Sequence, residues 1–198
     1  MTHHGTGSCW LARLRGFAAD QDGVSAVEFA ILLPLMLTLY LGGVEISQAV
    51  SADRKTTLVA HTIGDLTAQS SNVTSTGSNP DISNFFSAAS KVAYPFASSS
   101  LKATISSVCI DSTGTHATIG WSQANANGTA RGLGVDVTSH IPAALMVPNT
   151  SLIWGEASYA YKPTIGWTIT GTLNLSDQFF LRPRLSCSVT LDSQHSCC

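Results

Sequence analysis

The sequence predicts an α+β fold: a long N-terminal transmembrane helix extending into a domain with an antiparallel sheet. Three observations carry the prediction. Phe29 to Val44 is a run of sixteen residues without a charge. Ile82, Phe85, Phe86 and Ala89 recur at helical spacing, and from Leu101 onward the apolar period changes to two, that of a half-buried strand. The 198 residues suffice for one ordinary domain with an appendage.

Composition narrows the function. Charged residues make up 11% of the chain, against about 25% in soluble proteins. Hydroxyl residues abound instead, with 26 Ser and 21 Thr. Ten basic and twelve acidic residues leave a net charge of −2. With no basic surplus to neutralise phosphates, no nucleic-acid partner is expected. A hydrophobic fraction of 44% argues against a disordered chain.

The apolar run is shorter than the roughly 20 residues that a bilayer core needs. Extending it back to Val24 reaches 21 residues and takes in Glu28. A buried core helix would carry a polar face, which this run lacks. Pro34 is tolerated in a membrane helix, where neighbouring groups answer the freed carbonyl. The expected organisation is a cytoplasmic leader or tail at 1–23, a transmembrane helix at 24–44, a helix extension at 45–70 and an extracytoplasmic α+β domain at 71–198. Flanking cations do not set the orientation, since Arg13 and Arg15 balance Arg54 and Lys55. A short N-terminal tail suits the cytoplasm, and a Ser/Thr-rich segment with cysteines suits the outside. The expected topology is therefore a single pass, with residues 1–23 inside and 45–198 outside.

An ordinary secretory leader is one alternative, since Val50-Ser51-Ala52 before Asp53 offers small residues at a cleavage site. That site lies well past the apolar run and would make a 52-residue leader. A more specific pattern lies upstream. The polar stretch Asp20-Gln21-Asp22-Gly23 stands directly before Val24-Ser25-Ala26-Val27-Glu28-Phe29. An ionised carboxylate at membrane depth is costly and usually paired. The plainer reading of Glu28 is an acid near a helix N-terminus, favoured by the macrodipole and wetted by headgroups.

A glycine, four small or apolar residues, then Glu and an aromatic resembles the processing site of type IV prepilins. With Leu33-Pro34 and Gly42-Gly43-Val44-Glu45 added, residues 20–66 resemble the TadE/TadG-like family, pseudopilin-like components of the Tad (tight adherence, type IVc) pilus. A weaker likeness covers Ser107-Val108-Cys109-Ile110-Asp111, Trp121-Ser122, Tyr159-Ala160-Tyr161-Lys162-Pro163 and Leu181-Arg182-Pro183-Arg184. The resemblance implies a pilin-like layout and cleavage by a prepilin peptidase between Gly23 and Val24. Glu28 would become the fifth residue, set the register of packed helices by pairing with a neighbour's new α-amine, and be followed by Phe29. The implied role is a minor pseudopilin in a pilus used for adhesion or export. Its partners would be the inner membrane, other pilin and pseudopilin subunits, a prepilin peptidase and the Tad secretion machinery. Larger family members carry a von Willebrand A domain, whose Asp-x-Ser-x-Ser metal motif this chain lacks. The alternative is an uncleaved single-pass envelope protein that binds a partner or ligand in the periplasm.

Beyond the span, Ile46, Val50, Leu58, Val59, Ile63 and Leu66 make an apolar stripe. A helix from about 21 to 68 would be about 70 Å long. Residues 71–80, SNVTSTGSNP, read as a flexible link, and Asp81 as the cap of the next helix. In that helix Ile82, Phe85, Phe86, Ala89 and Val92 or Ala93 share a face, and Pro95 stops it. Leu101, Ala103 and Ile105 face one way; after a turn at Asp111-Ser112-Thr113-Gly114, Ala117, Ile119 and Trp121 alternate again, which reads as a hairpin. Runs at about 150–162 and 172–182 supply two more strands. The expected domain is one antiparallel sheet covered by helices on one face.

Chemistry-bearing patterns are sparse. Cys9 precedes the span. Cys109, Cys187, Cys197 and Cys198 follow it, and an even count outside the cytoplasm favours disulfides. Of the three complete pairings, the one joining Cys197 to Cys198 closes a strained small ring. Cys109 with Cys187, leaving the last two free or intermolecular, is a further alternative. Zinc bound by Cys187, His195, Cys197 and Cys198 would lack the usual spacer between thiolates. There is no HExxH, GxSxG or GxxxxGK motif, and Gly132-Leu133-Gly134 has no third glycine of a dinucleotide loop. No enzyme activity, metal or cofactor is expected, although His116 or His140 beside a buried Asp and a Ser would revive a hydrolase. Arg182-Pro183-Arg184 reads either as a solvated strand end or as a patch for a neighbouring pilus or membrane component. Tyr159 and Tyr161 share one side of their strand and read as sheet packing.

Overall fold

The computed structural model describes residues 22–164, 171–194 and 196–197. The chain divides into two compact units, one ending at Ile46 and the other running from Ser47 to Cys198. The first helix, α1 (Asp22–Ala68), contributes residues to both. Its bounds agree with the long helix expected from about 21 to 68.

The second unit is α+β. After the Ser47–Ala68 part of α1 come β1 (Asn72–Val73), α2 (Asp81–Val92), β2 (Leu101–Ile110), β3 (Ala117–Ala124), β4 (Ser151–Tyr161), β5 (Leu173–Leu181) and β6 (Thr190–Leu191). The main sheet has the order β3-β2-β4-β5 and is antiparallel throughout. Thus α1 packs on a four-stranded antiparallel sheet in a pilin-like arrangement. Val59, Ala60 and Ile63 of α1 form one cluster with Ile82 and Ala89 of α2 and with Leu101, Ala103, Ile105, Ile153 and Ala157 of the sheet. Full burial of each large aliphatic side chain is worth about 1.5–3 kcal/mol.

The expected stripe on α1 needs correction. Val50 and Leu58 are 45% and 50% exposed, and Ile46 is exposed as well. The buried face is built of Ala52, Thr56, Val59, Ala60, Ile63 and Thr67. Close approach selects these small residues: a Cβ on Gly155 of β4 would lie 2.6 Å from the Ala60 carbonyl oxygen. Buried threonines fit because their hydroxyls donate back into the helix, Thr56 to the Ala52 carbonyl at 3.0 Å and Thr67 to that of Ile63 at 2.7 Å.

Three further expectations change. Asp81 is the first residue of α2 rather than its cap, and Pro80 is the N-cap. The Asp81 carboxylate instead accepts from the Thr74 backbone N–H and hydroxyl at 3.0 and 2.8 Å. Segment 71–80 is accordingly held: β1 pairs in parallel with β6, and the Ser75 N–H and hydroxyl both donate to Asp192. In β3 the register shifts opposite Ser107 and Val108, so Ile119 and Trp121 turn to opposite faces. Gly120 lies at this bulge, where an added Cβ would meet the Cys109 sulfur at 2.8 Å.

The bulge also explains a second core. Val108, Ile110, Ala117, Ile119, Leu152 and Trp154 cluster with Val137 and Ile141. The irregular chain between β3 and β4 therefore covers one end of the face expected to be bare, using 3₁₀ turns at Thr138–His140 and Ala143–Leu145.

Candidate functional site

The first unit places the residues singled out at the start of the span on one helix. Gly23, Val24, Glu28 and Phe29 are all exposed, and the Gly23–Val24 bond lies just inside the start of α1. Successive residues rotate by about 100°. Ile31, Leu32, Leu33, Leu35, Met36 and Leu37 are all exposed, so large apolar side chains point out in every direction. A helix apolar all round needs an apolar surrounding, either lipid or other helices. Pro34 leaves the Ala30 carbonyl without its usual donor, and the Thr38 hydroxyl donates to the Leu35 carbonyl at 2.8 Å one turn on. Glu28 forms no ion pair among the described residues.

By length and composition α1 can cross a membrane, with the qualifying stretch beginning at Gly23 and its most apolar window wholly unburied. One long apolar N-terminal helix indicates a single membrane anchor. Residues 23–64 match the family described as TadE-like protein. The chain carries a TadE-like domain. No curated protein and no solved structure matches the chain significantly. The matched residues run from the glycine at the start of the span to Gly64, inside the small-residue face of α1.

The cysteines follow the path of the C-terminal tail. Cys109 is bonded to Cys197, 88 residues away. The pairing of Cys109 with Cys187 is therefore not formed, because the tail passes Cys187 before it reaches the sulfur of Cys109. Cys187 is itself disulfide-bonded. Cys198, His195, Cys9, Arg13 and Arg15 lie outside the described residues. Trp121 helps hold the tail, its indole N–H donating to the Val189 carbonyl at 2.7 Å, and the Ser151 hydroxyl donates to that of Cys187 at 2.7 Å. No group of His, Cys, Asp and Glu suited to a metal occurs among the described residues.

Arg182-Pro183-Arg184 is split by the fold. The Arg184 N–H donates to the Ala68 carbonyl at the end of α1, and its guanidinium pairs with Asp65. A cation is favoured there by the helix dipole. Arg182 is exposed. His116 lies 3.6 Å from Asp136, but both side chains are more than half exposed, and His140 Nδ1 contacts the adjacent Ser139 at 3.3 Å. Neither makes the buried Ser-His-Asp constellation that a hydrolase needs.

One polar feature escaped the sequence. On the sheet face away from α1, a groove of about 660 Å³ is lined by Lys102, Thr104, Arg131, Glu156, Ser158 and Gln178, among others. Arg131 grips Glu156 with both guanidinium nitrogens, one at 2.8 Å, while its carbon lies 4.0 Å over the Trp154 ring. The two charged side chains are only 28% and 24% exposed. Such a planar fork is suited to carboxylates and aromatic faces together. The pair is 25 residues apart in sequence, so no local pattern could reveal it.

Proposed function

We propose that the protein is a minor pseudopilin-like structural component in the assembly of a Tad (type IVc) pilus that serves adhesion or export. The observation that carries the reading is the uncharged Phe29–Val44 part of the TadE-like helix, which exposes large apolar side chains on every side and has Glu28 at its start. Such a surface can pass from lipid to a bundle of similar helices with little change in solvation, as a subunit entering a fibre must. A prepilin peptidase would cut between Gly23 and Val24, leaving Glu28 as the fifth residue to meet a neighbour's α-amine and Phe29 to pack beside it. The N-terminus would face the cytoplasm and the α+β domain the periplasm of a bacterial envelope. Disulfides suit that oxidising side.

The test is Glu28→Ala in the native host. Normal membrane insertion with loss of incorporation into the fibre supports the subunit role; unchanged incorporation refutes it. The mature N-terminus separates the remaining readings. A start at Val24 marks prepilin-type processing, and a start at Met1 or Thr2 leaves a permanent anchor. A start at Asp53 removes the helix and ends the pilus reading. The polar groove favours a second reading, an uncleaved single-pass envelope protein that binds a partner or ligand in the periplasm.

A further inference from the structure

After β5 the chain runs as a strap that is tied down at almost every step. The Arg184 N–H donates to the Ala68 carbonyl at the end of α1 at 2.9 Å. The Cys187 and Val189 carbonyls accept from Ser151 of β4 and Trp121 of β3. Next, β6 pairs with β1, the first strand after α1, and the Asp192 N–H donates to the Val73 carbonyl at 2.9 Å. The strap then folds back on itself. The Ser188 hydroxyl lies 3.0 Å from that of Ser196 and accepts from the Cys197 N–H at 3.3 Å. Cys187 comes one residue before this contact in the chain, and Cys198 one residue after it.

We propose that Cys187 is bonded to Cys198, closing the strap into a covalent loop around β6. The chain has five cysteines. Cys109 and Cys197 take each other, and Cys187 is itself in a disulfide, which leaves Cys198 and Cys9 as its partners within the chain. On the membrane-anchor reading Cys9 lies across the bilayer, and in this one respect the inference rests on that reading. The contact of Ser188 with Ser196 and Cys197 carries Cys198 toward Cys187 instead. Neighbouring Cα atoms are about 3.8 Å apart, and a disulfide spans Cα atoms about 4.4–6.8 Å apart. Adjacent cysteines would then do two things: Cys197 pins the loop to β2, and Cys198 closes it at its base. Each bond forms as two thiols give up two protons and two electrons to a protein-borne or small-molecule disulfide, which leaves as two thiols. The segment that follows α1 is therefore locked by β6 only where such an oxidant is present.

The full chain, extracted from native membranes with free thiols blocked by N-ethylmaleimide, is opened stepwise with a phosphine at about pH 3, where exchange is slow. The released thiols are alkylated and located by peptide sequencing. Bonds from Cys109 to Cys197 and from Cys187 to Cys198 are expected. Cys187 bonded to Cys197 or to a second chain, or an unbonded Cys187 or Cys198, overturns the pairing and leaves the anchor standing. Cys187 bonded to Cys9 overturns the pairing and the anchor topology together. The Cys187→Ser/Cys198→Ser double variant, which strands no thiol, tests the lock. Amide exchange at Thr190 and Asp192, whose N–H groups donate to Ser71 and Val73, should quicken at least about tenfold, with no change at Ile105 and Ile153 in the sheet. Unaltered exchange at Thr190 and Asp192 overturns the lock.

Discussion

Replacing Gly155 with alanine tests the contact on which the second unit is organised. The new Cβ would lie 2.6 Å from the Ala60 carbonyl oxygen and 3.3 Å from the Gly64 nitrogen, both backbone atoms. Ordinary contact begins near 3.4 Å, so α1 must retreat from β4 by about 0.8 Å. Neither partner can turn aside, as a flexible side chain could. The retreat also opens gaps around Val59 and Ile63, both fully buried, and a gap of 0.5–1 Å forfeits a quarter to a half of each dispersion contact. Overpacking alone costs about 1–3 kcal/mol, and with the lost contacts we expect about 2–3 kcal/mol. For a unit of this size that lowers the melting temperature by about 4–12 °C. Near-ultraviolet circular dichroism of the full chain in detergent reads the change through Trp121 and Trp154. Gly42→Ala is the control, since nothing lies within 4 Å of its added Cβ. A Gly155→Ala melt within a degree of the parent would refute the packing, as would an equal loss for Gly42→Ala.

The disulfide should matter more than any single contact. Cys109→Ser opens a loop of 88 residues, for which chain entropy predicts a loss of about 4.5 kcal/mol, measurable as a fall in the urea midpoint, which reductant should deepen by opening the bond at Cys187. Asp111 makes stability pH-dependent. Hydrogen bonds from the Thr113 hydroxyl and from backbone N–H groups of His116, Thr115 and Gly114 hold its pKa at about 2, below the ordinary 3.8. A depressed carboxylate contributes stability above its unfolded pKa and loses it as pH falls through the folded one. The contribution should therefore fade from about pH 4 to pH 2, and Asp111→Asn should flatten the urea midpoint over that window. Arg131→Ala strands a carboxylate that is mostly buried and removes the cation from the Trp154 face; discounted for partial exposure, the cost is about 1–3 kcal/mol. A double-mutant cycle with Glu156→Gln should return a coupling above about 0.5 kcal/mol, and additivity would show that the pair is idle.

How far the sequence could be read depended on the range of the interaction. The apolar run, the α2 stripe of Ile82, Phe85, Phe86 and Ala89, and the period of two in β2 are properties of neighbours in the chain, and each appears where the pattern put it. The buried face of α1 was misread because a search for large apolar residues passes over Ala52, Thr56 and Ala60; their value lies in how near Gly155 can come. Gly120 was legible in principle, since a lone glycine inside a strand pattern suggests a bulge, and it would have separated Ile119 from Trp121. The Cys109–Cys197 bond and the Arg131–Glu156 fork depend on tertiary placement, and no spacing encodes them. At the start of the span the pattern is local, so the sequence could propose Gly23, Val24, Glu28 and Phe29, whose roles remain a proposal.

The scarcity of charge and the abundance of Ser and Thr are two sides of one design. Only three ion pairs occur among the described residues, yet the chain's isolated carboxylates are well answered. Asp111 is held by Thr113, Asp136 by Thr138 and Asp192 by Ser75, and in each case a hydroxyl bond is the foremost cause of a lowered pKa. Asp81 is similarly bound by Thr74. A hydroxyl answers a carboxylate without importing a second charge that must also be solvated. The same residues satisfy backbone carbonyls inside α1, where Thr56 and Thr67 pack against the sheet with no polar atom left over. Local hydroxyl bonds of this kind fix turns and close the C-terminal strap onto β1, while the surface stays nearly free of long, flexible charged side chains. For a domain proposed to pack among copies and partners in a fibre, that leaves less charge to desolvate on assembly, and less rotamer freedom to lose.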